Sequence, residues 1–201
     1  MSRTVTRLYD DYTDATAAVR DLEELGIPHR DISIVANNAH GVHGDVDDHG
    51  DVSRGTSTGA LLGGAGGLLA GLGLLAIPGL GPIVAAGWLA ATAAGAGIGA
   101  AGGAATGTIV GALKNAGHTD DEANVYSEGV RRGGTLVSAK VPDDDVGRAE
   151  AALNRYRPVD TAARGTAYRK AGWTEFDPAA PAYTSEEIDR EHATYGSGTR
   201  L

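Results

Sequence analysis

The sequence predicts an α+β fold, a ferredoxin-like sandwich of two β-α-β halves interrupted by a Gly/Ala-rich glycine-zipper helical hairpin. Three observations predict it. A strand, an amphipathic helix and a second strand follow one another near each end of the chain. The 31 glycines of the 201 residues gather in the middle. There too, 59 consecutive positions, Gly55 to Leu113, carry neither a charge nor a His. The expected units are a first half over 1–37, a polar His/Asp-rich loop over 38–56, the hairpin over 57–114, a helix plus the second half over 115–162, and a tail over 163–201.

Taken in order, residues 4–9 (TVTRLY) are β-branched and aromatic and read as a strand. Thr13 is placed to cap a helix that sets Ala15, Ala18, Val19, Leu22 and Leu25 on one face, with Asp14 in its first turn and Gly26 and Pro28 past its end. Residues 32–36 (ISIVA) read as the next strand. In the second half Val137, Ala139 and Val141 alternate with Ser138 and Lys140, the pattern of a half-buried strand. From Asp143 a helix gathers Val146, Ala149, Ala152, Leu153 and Tyr156 on one face, its acidic start suiting a helix N-terminus. Pro158 to Thr161 is expected to form a short closing strand. Before this half, a helix runs from Thr119, which makes a capping-box pattern with Glu122, to the stop at Gly133-Gly134.

Within the uncharged run small residues recur every fourth position. Gly59, Gly63, Gly67 and Gly71 mark a first arm, and Gly87, Ala91, Gly95, Gly99, Gly103, Gly107 and Gly111 a second. On helices they form smooth stripes that let another backbone approach closely. Glycine costs about 1 kcal/mol per helix position relative to Ala, so lipid or protein contact has to compensate. The chain is expected to reverse at IPGLGP, residues 77–82. As helices, the arms 57–77 and 83–113 measure about 30 Å and about 46 Å, and the first matches the hydrocarbon thickness of a bilayer. The second is sparse in large apolar residues and is a marginal span by itself.

Composition narrows the function. A net charge of −9 with no basic stripe lacks the phosphate-neutralising groups that drive nucleic-acid binding. The absence of Cys removes disulfides, thiolate chemistry and Cys-bound zinc. The start, MSRTVTRLY, carries no apolar stretch of signal-peptide length, so the expected location is the cytoplasm, with the domain held at the inner membrane if the hairpin inserts.

Three stretches carry a family likeness: IPHRDISIVANN (27–38), GLGPIVAAGWLAA (79–91) and YSEGVRRGGTLVSAKV (126–141). Together they resemble the general stress protein (YflT-type) and low-temperature-induced protein family over roughly residues 3–162. The resemblance implies a stress-associated bacterial protein and transfers no catalytic or binding residue.

The remaining candidates read blandly. His40, His43 and His49 lie beside Asp45, Asp47, Asp48 and Asp51, a donor mixture suited to Zn or Ni, but the spacing fits no metal motif and a solvated loop is expected. Gly97, Gly99 and Gly102 spell GxGxxG, yet no strand precedes them, and a chance match is the reading. Arg131 and Arg132 are expected to complement a helix C-terminus rather than to bind an anion. In the tail, Thr184 and Glu187 repeat the capping-box pattern, and Trp173, Phe176 and Tyr183 are expected to dock on the sheet's open face. No nucleophile elbow, paired-carboxylate site or P-loop is present. The expectation is a non-enzymatic stress-response protein with no cofactor, metal or small-molecule substrate. Its partner is the membrane, through the hairpin, or alternatively itself in a soluble homo-oligomer.

Overall fold

The structure is a computed structural model that describes residues 2–41, 72–92 and 109–196. Its strands are β1 (Ser2–Tyr9), β2 (Ile32–Asn37), β3 (Gly73–Ile77), β4 (Gly81–Gly87) and β5 (Thr135–Pro142). Its helices are α1 (Tyr12–Glu24), α2 (Ile109–Asn115), α3 (Asp120–Arg131), α4 (Val146–Asn154), α5 (Thr161–Lys170) and α6 (Ser185–Glu191). The strands form one antiparallel sheet in the order β1-β5-β2-β4-β3.

The fold is therefore α+β, as the sequence predicts. Because β1 and β2 both run antiparallel to β5 between them, they are parallel to each other, and β1-α1-β2 is a split β-α-β unit. The second half departs from the ferredoxin-like expectation. At Pro158–Thr161 no strand forms; the Val159 N–H bonds to the Leu8 carbonyl at 2.7 Å, and Asp160 then caps α5. Pro158 has no N–H to give a ladder, and the Asp160 carboxylate is already spent on the Ala163 N–H, so the helix begins where the strand was expected.

The larger correction lies in the charge-free run. Residues 73–77 and 83–87, expected in the two helical arms, belong to the strands of the hairpin β3–β4. The reversal falls where expected: the Leu80 N–H returns to the Ile77 carbonyl at 3.0 Å, with Pro78 and Gly79 (φ 78°) in the central positions of a type II turn. A helix through this stretch would lose a donor at both Pro78 and Pro82, whereas the β-branched Ile83 and Val84 are fully buried in the sheet. Residues 57–71 and 93–108 of the expected hairpin lie outside the described residues, as does most of the His/Asp loop. Among the described residues no helix is long and apolar enough to cross a membrane.

Helices cover both faces of the sheet. On one face Val5, Ile34, Val137 and Ala139 meet Ala18, Val19 and Leu22 of α1 and Ala149 and Leu153 of α4. On the other, Leu8, Val35, Ile83 and Leu136 meet Ile109 and Leu113 of α2, Ala123, Tyr126 and Val130 of α3, and Phe176 of the tail. This second cover explains why Ser138, expected on a solvated side of β5, is fully buried. The cap of α1 lies two residues before the expected one: Asp11 accepts the Thr13 N–H at 2.7 Å, and Thr13 is inside the helix.

Candidate functional site

The densest polar constellation sits where the C-terminal end of α3 meets the tail. The sequence SEGVRR places Glu128, Arg131 and Arg132 at helical offsets of three and four, so one carboxylate faces two guanidinium groups on the same side of α3. Glu128 has no exposed side-chain surface; its Oε1 accepts from Arg132 Nε at 2.6 Å and its Oε2 from Arg131 Nη1 at 3.3 Å. Arg132 Nη1 also donates to both oxygens of Glu191 in α6, at 3.1 and 3.2 Å. Its guanidinium lies 4.2 Å from the centre of the Tyr168 ring. Arg131 reaches the Pro181 carbonyl at 2.9 Å and stacks 4.9 Å from the Tyr183 ring. A second pair closes the other side: Arg164 of α5 grips Asp10 through two bonds of 2.8 and 2.7 Å.

Glycines make room for this contact. Gly133 adopts φ 102°, and a Cβ there would sit 2.5 Å from Ile188 Cγ2 and 2.8 Å from His192 Nε2. A Cβ on Gly79 would come within 2.8 Å of Pro178 Cα, and one on Gly81 within 2.7 Å of Ala182 Cβ. Both turns that touch the tail are thus held to glycine by conformation and by space together. The expected helix stop at Gly133-Gly134 and the reversal at IPGLGP are the cradle of residues 176–192.

Electrostatically the constellation is closed. Burial alone would lower the affinity of Arg132 for its proton, but the bonds to Glu128 and the charges of Glu128 and Glu191 outweigh it and hold the guanidinium above its usual range. Burial pushes the Tyr168 phenol up to about 12. Between Asp10, Arg132, Arg164, Tyr168, Glu191 and Tyr195 remains a cleft of about 10 Å³, the room of a single water. Two Arg against Glu128 and Glu191, and Arg164 against Asp10, leave these groups neutral as a set. Such an arrangement joins segments, and His192, whose buried Nε2 has no hydrogen-bond partner among the described residues, also lines the cleft.

A second polar line runs beneath α3. Thr6 Oγ1 lies 2.8 Å from His118 Nε2 and 2.8 Å from Ser138 Oγ, and His118 Nδ1 is 4.0 Å from Glu122 Oε2. Hydroxyl, imidazole and carboxylate in line are the components of a hydrolytic site. Here, however, Thr6 and Ser138 are buried, and Tyr126 covers them, standing edge-on to His118 and donating its hydroxyl to the Thr6 carbonyl at 3.1 Å. Burial lowers the His118 pKa, so the ring is held neutral, and Glu122 is engaged in capping α3. The line satisfies polar groups that the sheet would otherwise bury unpaired.

Of the zipper residues, Gly87 is not on a helix. It ends β4 with φ 83°, where a Cβ would overlap the Ile32 carbonyl oxygen, so its role is close approach of β4 to β2. Gly111 lies on α2. Gly59, Gly63, Gly67, Gly71, Gly95, Gly99, Gly103 and Gly107 lie outside the described residues, as do Gly97 and Gly102. Of the His/Asp loop, His40 is described, and its Nε2 pairs with Asp189 at 3.1 Å. No group of potential metal ligands occurs among the described residues. Arg131 and Arg132, anchored by Glu128, hold the tail through Pro181 and Glu191, a role that the helix-end reading missed. The offsets Glu128-Arg131-Arg132 were a visible signal, but the partner, Glu191, is 59 residues beyond Arg132. Both expected capping boxes, Thr119–Glu122 and Thr184–Glu187, are formed, and Phe176 docks as expected, its N–H bonded to Asn124 Oδ1 at 3.1 Å.

The model of the heat-induced stress protein YflT domain matches residues 4–76. That span holds most of β1, all of α1 and β2 and nearly all of β3, and it supports the family resemblance carried by 27–38; the stretches 79–91 and 126–141 lie beyond it. No curated protein and no solved structure matches the chain.

Proposed function

We propose that this chain, carrying a stress-protein domain match, serves the stress response by self-association and without catalysis. The observation that carries the reading is where the uncharged run returns to the domain. Leu89 and Ile109, on either side of residues 93–108, are both buried in one cluster on one face of the sheet. A membrane-crossing arm would place its two ends about 30 Å apart, on opposite sides of the bilayer. The β3–β4 hairpin within the run favours the same conclusion, because it takes residues 73–77 and 83–87 out of the two expected spans. The neutralised charges around Glu128 support a site that binds the protein's own tail rather than a substrate.

The test is fractionation of cells at native expression, followed by light scattering without detergent. Recovery in the soluble fraction as a species of more than one chain is the expected result. A chain extracted from the membrane pellet by detergent alone would replace this reading with membrane anchoring.

A further inference from the structure

The two edges of the sheet are built differently. Along β1 the outer side carries Arg7, bonded to Asn154, and the Val159 N–H pairs with the Leu8 carbonyl. Strand β3, at the other edge, has the sequence GLLAI: no charge, no proline, and a bulge-free register against β4. Leu74 is 61% exposed, the exposed large hydrophobic of the described residues, and Ala76 is exposed beside it. Among the described residues no hydrogen bond reaches the outer side of β3. Edge strands normally carry a charge, a proline, a bulge or a cover that prevents pairing.

We infer that the outer edge of β3 is a docking surface for a second copy of this chain, joined antiparallel across a two-fold axis at Leu75. The inference rests on the self-association reading and names its contact. Charge selects the occupant. The chain carries −9, so copies repel each other over most of their surface, yet β3 brings no charge to the seam and sets no like charges opposite one another. Symmetry fits as well. An antiparallel strand is self-complementary, and an axis at Leu75 sets Leu75 against Leu75 of the second copy, Leu74 against its Ala76, and Gly73 against its Ile77. Leu74 faces the same side of the sheet as its partner Val84 on β4, so pairing would cover its exposed surface with the second copy's Ala76. Leu75 and Ile77, already packed against the cluster under α2 and α3, would continue that layer across the axis. Five residues per copy make a small seam, below the area of standard stable interfaces, so the dimer dissociates on dilution.

The experiment is sedimentation equilibrium of the full chain over a range of concentrations. The wild type is expected to show a reversible monomer–dimer equilibrium. Leu74→Lys with Ala76→Lys is expected to weaken it at least ten-fold with unchanged circular dichroism, since both positions are exposed. Ala151→Lys, exposed on α4, is the control for added charge and is expected to leave association unchanged. Register is read separately. The chain has no Cys, so Leu75→Cys is expected to form a disulfide-linked dimer on mild oxidation, and Leu74→Cys, which faces Ala76, far less. An assembly that survives the double Lys substitution overturns the β3 contact while leaving self-association standing. A monomer at every concentration overturns both. Equal crosslinking at 74 and 75 overturns the Leu75 axis.

Discussion

The two faces of the sheet are made by the same strands and are stabilised in different ways. Beneath α1 and α4 the contact is apolar, with Val5, Ile34, Val137 and Ala139 against alanines, Val19 and the leucines of the two helices. Under α3, one residue along each strand, Thr6, Ser138 and Asn37 are buried, and the cover brings His118, Tyr126 and Glu128. The difference teaches that the helices of the β-α-β units are matched to their sheet locally, by apolar period. The cover on the far face, assembled from segments remote in sequence, is fixed in place by specific polar bonds. Hydrophobic area is non-directional; bonds to Thr6, Asn124 and Glu128 select one placement.

The largest effect that would break this contrast comes from Glu128→Gln. Removing a buried carboxylate from two guanidinium groups is expected to cost about 3–5 kcal/mol, read as the shift in a denaturation curve. It is also expected to make the tail after Lys170 the first site of limited proteolysis. Leu22→Ala, on the apolar face, is expected to cost about 2–5 kcal/mol through its cavity while leaving the tail protected. If both variants release the tail equally, the two faces are not distinct in the way argued.

Much of the first face was legible in the sequence because its signals are local. The offsets of Ala15, Ala18, Val19 and Leu22 and the alternation of Val137, Ala139 and Val141 need only a helix or strand period to be read. Both capping boxes are likewise written within four residues. The β3–β4 hairpin was not legible as such. Short apolar runs like GLLAI fit a buried strand and a buried helix equally, and the fourfold glycine spacing tipped the reading towards helix. Pro78-Gly79, in the order a type II turn requires, was the available signal for the strands. The tail contact was hidden for another reason: Glu128 and Arg132 are adjacent turns of one helix, but Glu191 and Tyr168 reach them only through the tertiary fold.

A smaller effect sharpens the comparison at the tail cradle. Gly133→Ala is expected to destabilise by about 1–3 kcal/mol, since it forces a side chain into the left-handed region and against Ile188 and His192. Gly26→Ala, also at positive φ but with open space around it, is expected to cost less, so the difference in midpoints measures the crowding by the tail.

The smallest effect is in pH. His118 is held below its ordinary value of 6.5 by burial, so the folded chain binds a proton there less readily than the unfolded chain. Its contribution to stability is complete above pH 6.5 and declines as the pH falls through the folded-state value. Glu122, lowered from 4.5 by its bonds to Thr119, acts in the same direction in a more acidic window. Denaturant midpoints between pH 7.5 and 5 are expected to fall in the wild type and to flatten in His118→Asn. An unchanged slope in the variant would remove His118 as the source.

The place of β5 in the sheet has a consequence for how the protein is born. β5 is the last strand among the described residues and lies between β1 and β2, which are complete by Asn37. A chain emerging from the ribosome therefore carries β1, α1 and β2 with a gap one strand wide. At about 5–20 residues per second, the 97 residues between Asn37 and Thr135 take roughly 5–20 s to synthesise. During that interval Ile34, Val5 and Leu8 have no central strand to pack beside, and their backbone edges are open to any extended segment. The nascent first half thus presents open strand edges until β5 emerges.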